Sequence, residues 1–90
     1  MPKKKVHSVF YDLYPRDQAA EIEMRSLLLQ GLGRWLKDSG MTQSDAAKVL
    51  GITQARASDI KHGKISQFSL DLLVRMAARA GLHPELKLAA

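Results

Sequence analysis

Between residues 17 and 39 apolar side chains return at Ile22, Leu28, Leu29, Leu32, Trp35 and Leu36, with polar or charged residues between them. This spacing follows the turn of an α-helix and predicts one long helix of about six turns. Leu28, Leu32 and Leu36 stand four apart as a ridge, and Trp35 is a large anchor beside it. Pro15 suits the entrance to the helix and Gly40 its end. Gly31 and Gly33 each weaken it by up to about 1 kcal/mol relative to alanine. Close packing of another helix at that level is therefore expected.

Residues 42–64, TQSDAAKVLGITQARASDIKHGK, carry a second pattern. Thr42 is an N-cap type, with Asp45 three residues on where a capping box places its acid. Ala46, Ala47, Val49 and Leu50 then recur at helical spacing, and Gly51 follows where a stop needs a residue that tolerates positive φ. Ile52 is expected to be buried, Thr53 caps again, and residues 54–62 read as a second helix anchored by Ala57 and Ile60. Gly63 stops it. The result is two short helices, close together because Ala47 is small, with Leu50, Ile52, Ala57 and Ile60 in a shared core. Any Ala-rich helical hairpin shares this apolar pattern. The Thr-Gln pair repeated at each helix start, and His-Gly-Lys closing the second, favour a helix-turn-helix that binds DNA.

The remaining chain frames these helices. Residues 1–5 read as a charged tail, whose Lys3, Lys4 and Lys5 either attract phosphate or are simply solvated. Residues 6–14, rich in Val, Phe and Tyr, predict a short extended piece in which Val9, Phe10, Leu13 and Tyr14 form an apolar strap. Residues 64–68 read as a loop. Ser69, with Asp71 just inside, starts a last helix running to Ala80, stopped by Gly81. Leu70, Leu73, Met76, Ala77 and Ala80 share one face, and Leu72 and Val74 widen it, so two neighbours are expected. Residues 82–88 contain Pro84 and then alternate, as a half-buried edge strand would, with a frayed tail as the alternative. The division is a tail and strap over residues 1–14, then one domain over 15–90.

Ninety residues suffice for a modest core but not for a buried catalytic cleft of ordinary size. Fourteen Lys and Arg against nine Asp and Glu leave a formal +5, which suits a polyanionic partner. Without cysteine there is no disulfide framework and no zinc finger. No apolar run reaches the roughly 18 residues of a membrane span, and no apolar signal core follows the N-terminal lysines, so a cytoplasmic location is expected. His7, His62 and His83 lie far apart with no metal or nucleophile motif around them, and the acidic residues form no metal loop. Neither enzymatic activity nor a cofactor is expected.

The stretch 42–64 closely resembles the Cro and phage-repressor type of helix-turn-helix, the XRE family, because its small, glycine, cap and apolar positions hold in register throughout. Beyond it, VFYDLY, the long helix and FSLDLLVRMAARAG resemble the branch that contains HigA-type antitoxins. The resemblance covers roughly residues 8–88. It implies an all-α, compact bundle of four or five helices of lambda-repressor-like type, usually a homodimer, that binds an operator and represses its own promoter. For the antitoxins it also implies an RNA-cleaving toxin as partner. Family members often carry a larger apolar residue where this chain has Ala57, which implies a looser anchor for the reader helix.

Carried onto this sequence, the family roles make Gln43 a backbone grip and Gln54 a reader of base edges. Thr42 and Thr53 share the helix N-termini that hold phosphate. The Gln54 amide suits adenine N6 and N7, Ala55 can meet a thymine methyl, and Arg56 can reach guanine O6 and N7 or a phosphate, while Asp59 either orients Arg56, the favoured reading, or accepts from a cytosine amine. Ser58 and Asp59 complete the outward face. Lys61, His62 and Lys64, near the helix end, are phosphate candidates, with simply solvated lysines as the alternative. Since neither helix of the pair is available for dimerisation while it holds DNA, the dimer contact falls to Leu82, Leu86 and Leu88, backed by the last helix. The alternative is that these leucines close the monomer's own core.

Overall fold

A computed structural model describes residues 9–89, and every regular element among them is helical. In order these are α1 (Phe10–Leu13), α2 (Arg16–Ser39), α3 (Gln43–Leu50), α4 (Gln54–Lys61), a 3-10 turn (Ile65–Gln67) and α5 (Leu70–Arg79). The fold is all-α. The tail lysines and residues 6–8 of the expected strap lie outside the described residues.

The long helix α2 is the frame. Its 24 residues span about 36 Å at 1.5 Å each, close to the molecule's longest dimension of 39 Å. It packs against α1, α4 and α5. The face it buries is centred on Leu29, Leu32 and Leu36, with Ala19 nearer its start. Leu32 and Leu36 of the expected ridge are buried, but its first place is taken by Leu29 rather than Leu28, and both Leu28 and Trp35 pack on the core from half-buried positions. Leu27, Leu28 and Leu29 are consecutive, so the spacing gives the period of the stripe without fixing its centre. Around the α2 ridge gather Ala46 and Leu50 of α3, Ile60 of α4, Phe68, and Leu73 and Met76 of α5. No polar or charged residue is buried among the described residues.

The two glycines of α2 differ. A Cβ at Gly33 would lie 4.0 Å from the Ile60 carbonyl oxygen, so α4 does cross α2 there, at ordinary van der Waals distance. At Gly31 a Cβ would meet nothing within 4 Å. With helical backbone and open space, Gly31→Ala is expected to stabilise the fold by about 0.5–1 kcal/mol, raising Tm by a few degrees. An unchanged or lower Tm in a thermal melt would count against it.

Three segments depart from expectation. Residues 10–13 form a single helical turn rather than an extended piece, with the Tyr14 N–H donating to the Phe10 carbonyl before Pro15 ends the turn. Phe10 is half-buried over a cleft lined by Leu29, Gly33, Ile60 and Ile65, while Val9 and Leu13 stay exposed. The expected loop at 64–68 contains the 3-10 turn, and its last residue, Phe68, is only 2% exposed. Residues 82–88 form no strand. Their first N–H, on Leu82, is engaged by the Ala77 carbonyl at the end of α5, Pro84 has no N–H, and no strand exists among the described residues for an edge to pair with. Leu82 packs on the core, whereas Leu86 and Leu88 are 72% and 89% exposed.

Helix α5 starts as the sequence predicts. The Ser69 hydroxyl accepts from the Leu72 N–H at 3.3 Å. The hydrogen bond from Ser69 also holds the Asp71 carboxyl below its ordinary value, helped by nearby backbone N–H groups and Arg75. Leu73, Met76 and Ala77 are buried, and α5 has the two neighbours its wide apolar face requires, α2 and α3. Val74 remains exposed.

Candidate nucleic-acid interface

Helices α3 and α4 are fixed to one another by local chemistry at three points. At the start of α3 the Thr42 hydroxyl accepts from the Asp45 N–H at 3.1 Å, and at the start of α4 the Thr53 hydroxyl accepts from the Arg56 N–H at 3.2 Å. Between them, Gly51 adopts φ +71, the left-handed conformation that residues with a Cβ avoid. The Gly51 N–H then donates to Lys48 and the Ile52 N–H to Ala47, which closes α3 in a Schellman motif and turns the chain directly into Thr53. Ala46, Ala47, Leu50, Ala57 and Ile60 are buried, and Ile52 packs on the core from a half-buried position. Val49 alone of the expected apolar set of α3 faces solvent. Ala57 is completely buried, its small side chain allowing α4 to lie close to the rest of the fold.

With that face anchored, the other side of α4 is left to solvent. Gln54 and Ala55 are exposed, and Ser58 is half-buried. Arg56 and Asp59 form an ion pair, Nη1 to Oδ2 at 2.5 Å, in which the arginine is 43% exposed and the aspartate 16%. The pairing expected between them is present, and it aims a guanidinium along the helix surface at modest cost in flexibility. Lys61, His62 and Lys64 follow as an exposed group at the end of the helix. His62 Nδ1 lies 2.8 Å from the Ser58 carbonyl and must be the donor there. Since a neutral imidazole has one N–H, His62 can donate to a phosphate only as the imidazolium. Thr42 and Thr53 are likewise engaged as caps, though a hydroxyl that accepts still has a proton to give.

The structure brings together one residue the sequence did not single out. A cleft of about 530 Å³ is lined by Gly33, Leu36, Lys37, Met41, Gln43 and Lys61, so the last turn of α2, the start of α3 and the end of α4 meet there. Lys37, in that last turn, stands with Gln43 and Lys61 beside the free N–H groups at the start of α3. A lysine near the end of a helix is an ordinary complement to the helix dipole. Nothing in its local sequence distinguishes it as part of a basic cleft. Leu82, Leu86 and the exposed residues Met24, Leu27 and Val74 line a different, apolar groove between α2 and α5.

The fold and the exposed α4 define a helix-turn-helix protein, the class that presents one helix to the groove of a nucleic acid. In agreement, the model of the helix-turn-helix domain family matches residues 9–89, nearly the whole chain. The chain belongs to that family and is a DNA-binding domain. No curated protein matches it. Among the described residues no helix is long and apolar enough to cross a membrane, and no group of three or more His, Cys, Asp or Glu is placed to hold a metal.

Proposed function

We propose that this chain is a transcriptional regulator, a repressor of the Cro and phage-repressor type, that reads a two-fold symmetric operator as a homodimer. The observation that carries this reading is the outer face of α4: exposed Gln54 and Ala55 at its start, then the Arg56–Asp59 pair, on a helix held by Thr53, Ala57 and Ile60. Base contact falls to Gln54, Ala55, Arg56, Ser58 and Asp59. Phosphate contact falls to Thr42, Gln43, Thr53, Lys61, His62 and Lys64, with Lys37 added from the cleft it shares with Gln43. An eight-residue helix covers only a few base pairs, so useful affinity calls for two copies with half-sites about 34 Å apart.

Support for the dimer surface comes from the apolar groove between α2 and α5. Core closure accounts for Leu82 but not for Leu86 and Leu88, which stand in solvent. Because both are exposed, the double substitution Leu86→Glu and Leu88→Glu is expected to leave helical content intact while making the chain monomeric. Sedimentation equilibrium and circular dichroism check this together, and a variant that stayed dimeric would remove these leucines from the interface. To test the function itself, DNA duplexes are selected from a randomised pool by the unmodified chain. A symmetric consensus, bound with affinity that falls steeply with salt, is expected; recovery of no consensus would overturn the reading.

The resemblance to HigA-type antitoxins motivates a second reading, in which a toxin protein is also bound. Exposed Val9 and Leu13 at the end of the strap offer apolar surface for such a partner.

A further inference from the structure

Two side-chain hydrogen bonds tie distant parts of the chain to backbone carbonyls: Arg25 to Phe68, and Arg79 to Leu50. The second reaches the turn of the helix-turn-helix. Of the carbonyls at the end of α3, those of Ala47 and Lys48 are satisfied by the Schellman closure. Leu50 is the residue immediately before Gly51, and Arg79 Nη1 donates to its carbonyl oxygen at 2.9 Å. The guanidinium also fills the space beside the turn. A Cβ built on Gly51 would stand 2.0 Å from Arg79 Nη1 and 3.1 Å from its Cζ. Gly51 is therefore required for its positive φ, and its missing Cβ leaves the space that the Arg79 guanidinium occupies, so any larger residue there would push the guanidinium off the Leu50 carbonyl.

Only Gly51, Ile52 and Thr53 separate α3 from α4, so the direction in which α4 leaves depends on where the Leu50 carbonyl and Gly51 are held. Arg79 holds them from α5, an element that packs on α2 and α3. Its positive charge also lies at the negative end of the α3 dipole, which favours the same placement. We propose that Arg79 is a positioning residue for the reader helix: by clamping the Leu50 carbonyl beside Gly51 it sets the angle of α4 and so the precision of base reading, without itself touching DNA.

The proposal rests on the DNA-reading function above, and its test separates the two. The probes are the duplex selected by the unmodified chain and poly(dI-dC) as non-specific DNA. Affinities are measured over a range of salt, at a temperature where circular dichroism shows each variant folded. Arg79→Ala is expected to weaken binding to the selected duplex by roughly tenfold, about 1.4 kcal/mol, with binding to poly(dI-dC) and the salt slope unchanged. Arg79→Lys, which can still donate one bond to Leu50, is expected to recover part of that affinity, and serves as the comparison if the alanine variant is too unstable. Equal ratios of specific to non-specific affinity in the unmodified chain and both variants would overturn the proposal while leaving the DNA-reading function standing. A salt slope reduced by about one phosphate would overturn it differently, making Arg79 a direct DNA ligand. Failure of the unmodified chain to select any duplex would overturn the DNA reading and the proposal with it.

Discussion

Phe68→Ala is expected to destabilise the protein by about 3–5 kcal/mol, the usual result of emptying a buried aromatic position. Phe68 is 2% exposed and the largest of the fully buried side chains. It sits between the reader and α5, packed in the same cluster as Leu29, Leu32, Ile60 and Leu73. Its backbone is fixed as well, since the Phe68 N–H donates to Ile65 and its carbonyl accepts from Arg25 at 3.3 Å. A site held in this way collapses poorly around a smaller side chain, so the cost falls at the upper end of the range for core truncations. Against a total stability of about 5–15 kcal/mol for a domain, such a decrease leaves the fold marginal. Urea unfolding at fixed temperature measures it. A destabilisation below about 1 kcal/mol would mean that Phe68 closes a surface rather than filling the core.

Gln54→Ala is expected to remove about 1–3 kcal/mol of discrimination at one base pair in each half-site while leaving non-specific affinity and the salt slope almost unchanged. The residue is exposed, it opens α4, and its role in capping is nil because Thr53 supplies the cap. Its truncation should therefore not disturb the helix that carries it. Lys61→Ala is the contrasting control. Taking away a charge that pairs with a phosphate weakens binding to all sequences alike and lowers the salt slope by about one. Competition between the selected duplex and variants altered one base pair at a time distinguishes the two behaviours. An unchanged ranking of duplexes in Gln54→Ala would take this residue out of base reading.

The helices around the reader are legible in the sequence because their ends are written in residue types. Thr42, Thr53 and Ser69 each cap as expected, and Gly51 turns the chain where its freedom is needed. The outer face of α4 is legible for the same reason, since Ala57 and Ile60 fix which side is inward. What the sequence hides depends on interactions between distant residues. Phe68 lies in a polar stretch whose local pattern says loop, and only the cluster formed with α2 and α5 shows that it is core. Arg79 reads as a routine basic residue in the last turn of a helix, yet its guanidinium reaches a carbonyl 29 residues away. The alternation over residues 82–88 suggests a strand because periodicity records where side chains point and carries no information about a pairing partner.

Transplanting the reader into another protein would fail unless its surroundings travelled with it. Leu50 and Ile60 are buried, but the side chains that bury them include Leu32 and Leu36 upstream and Leu73 and Met76 downstream. Taken out as a peptide, residues 42–64 would retain every cap and the turn, yet each of its helices has only eight residues, short of the roughly 12–15 at which an isolated helix becomes even marginal in water. The recognition surface is thus not a portable cassette. A graft that preserves it must bring a host whose own helices supply the apolar positions of α2 and α5, and a basic side chain able to reach the carbonyl at the end of α3.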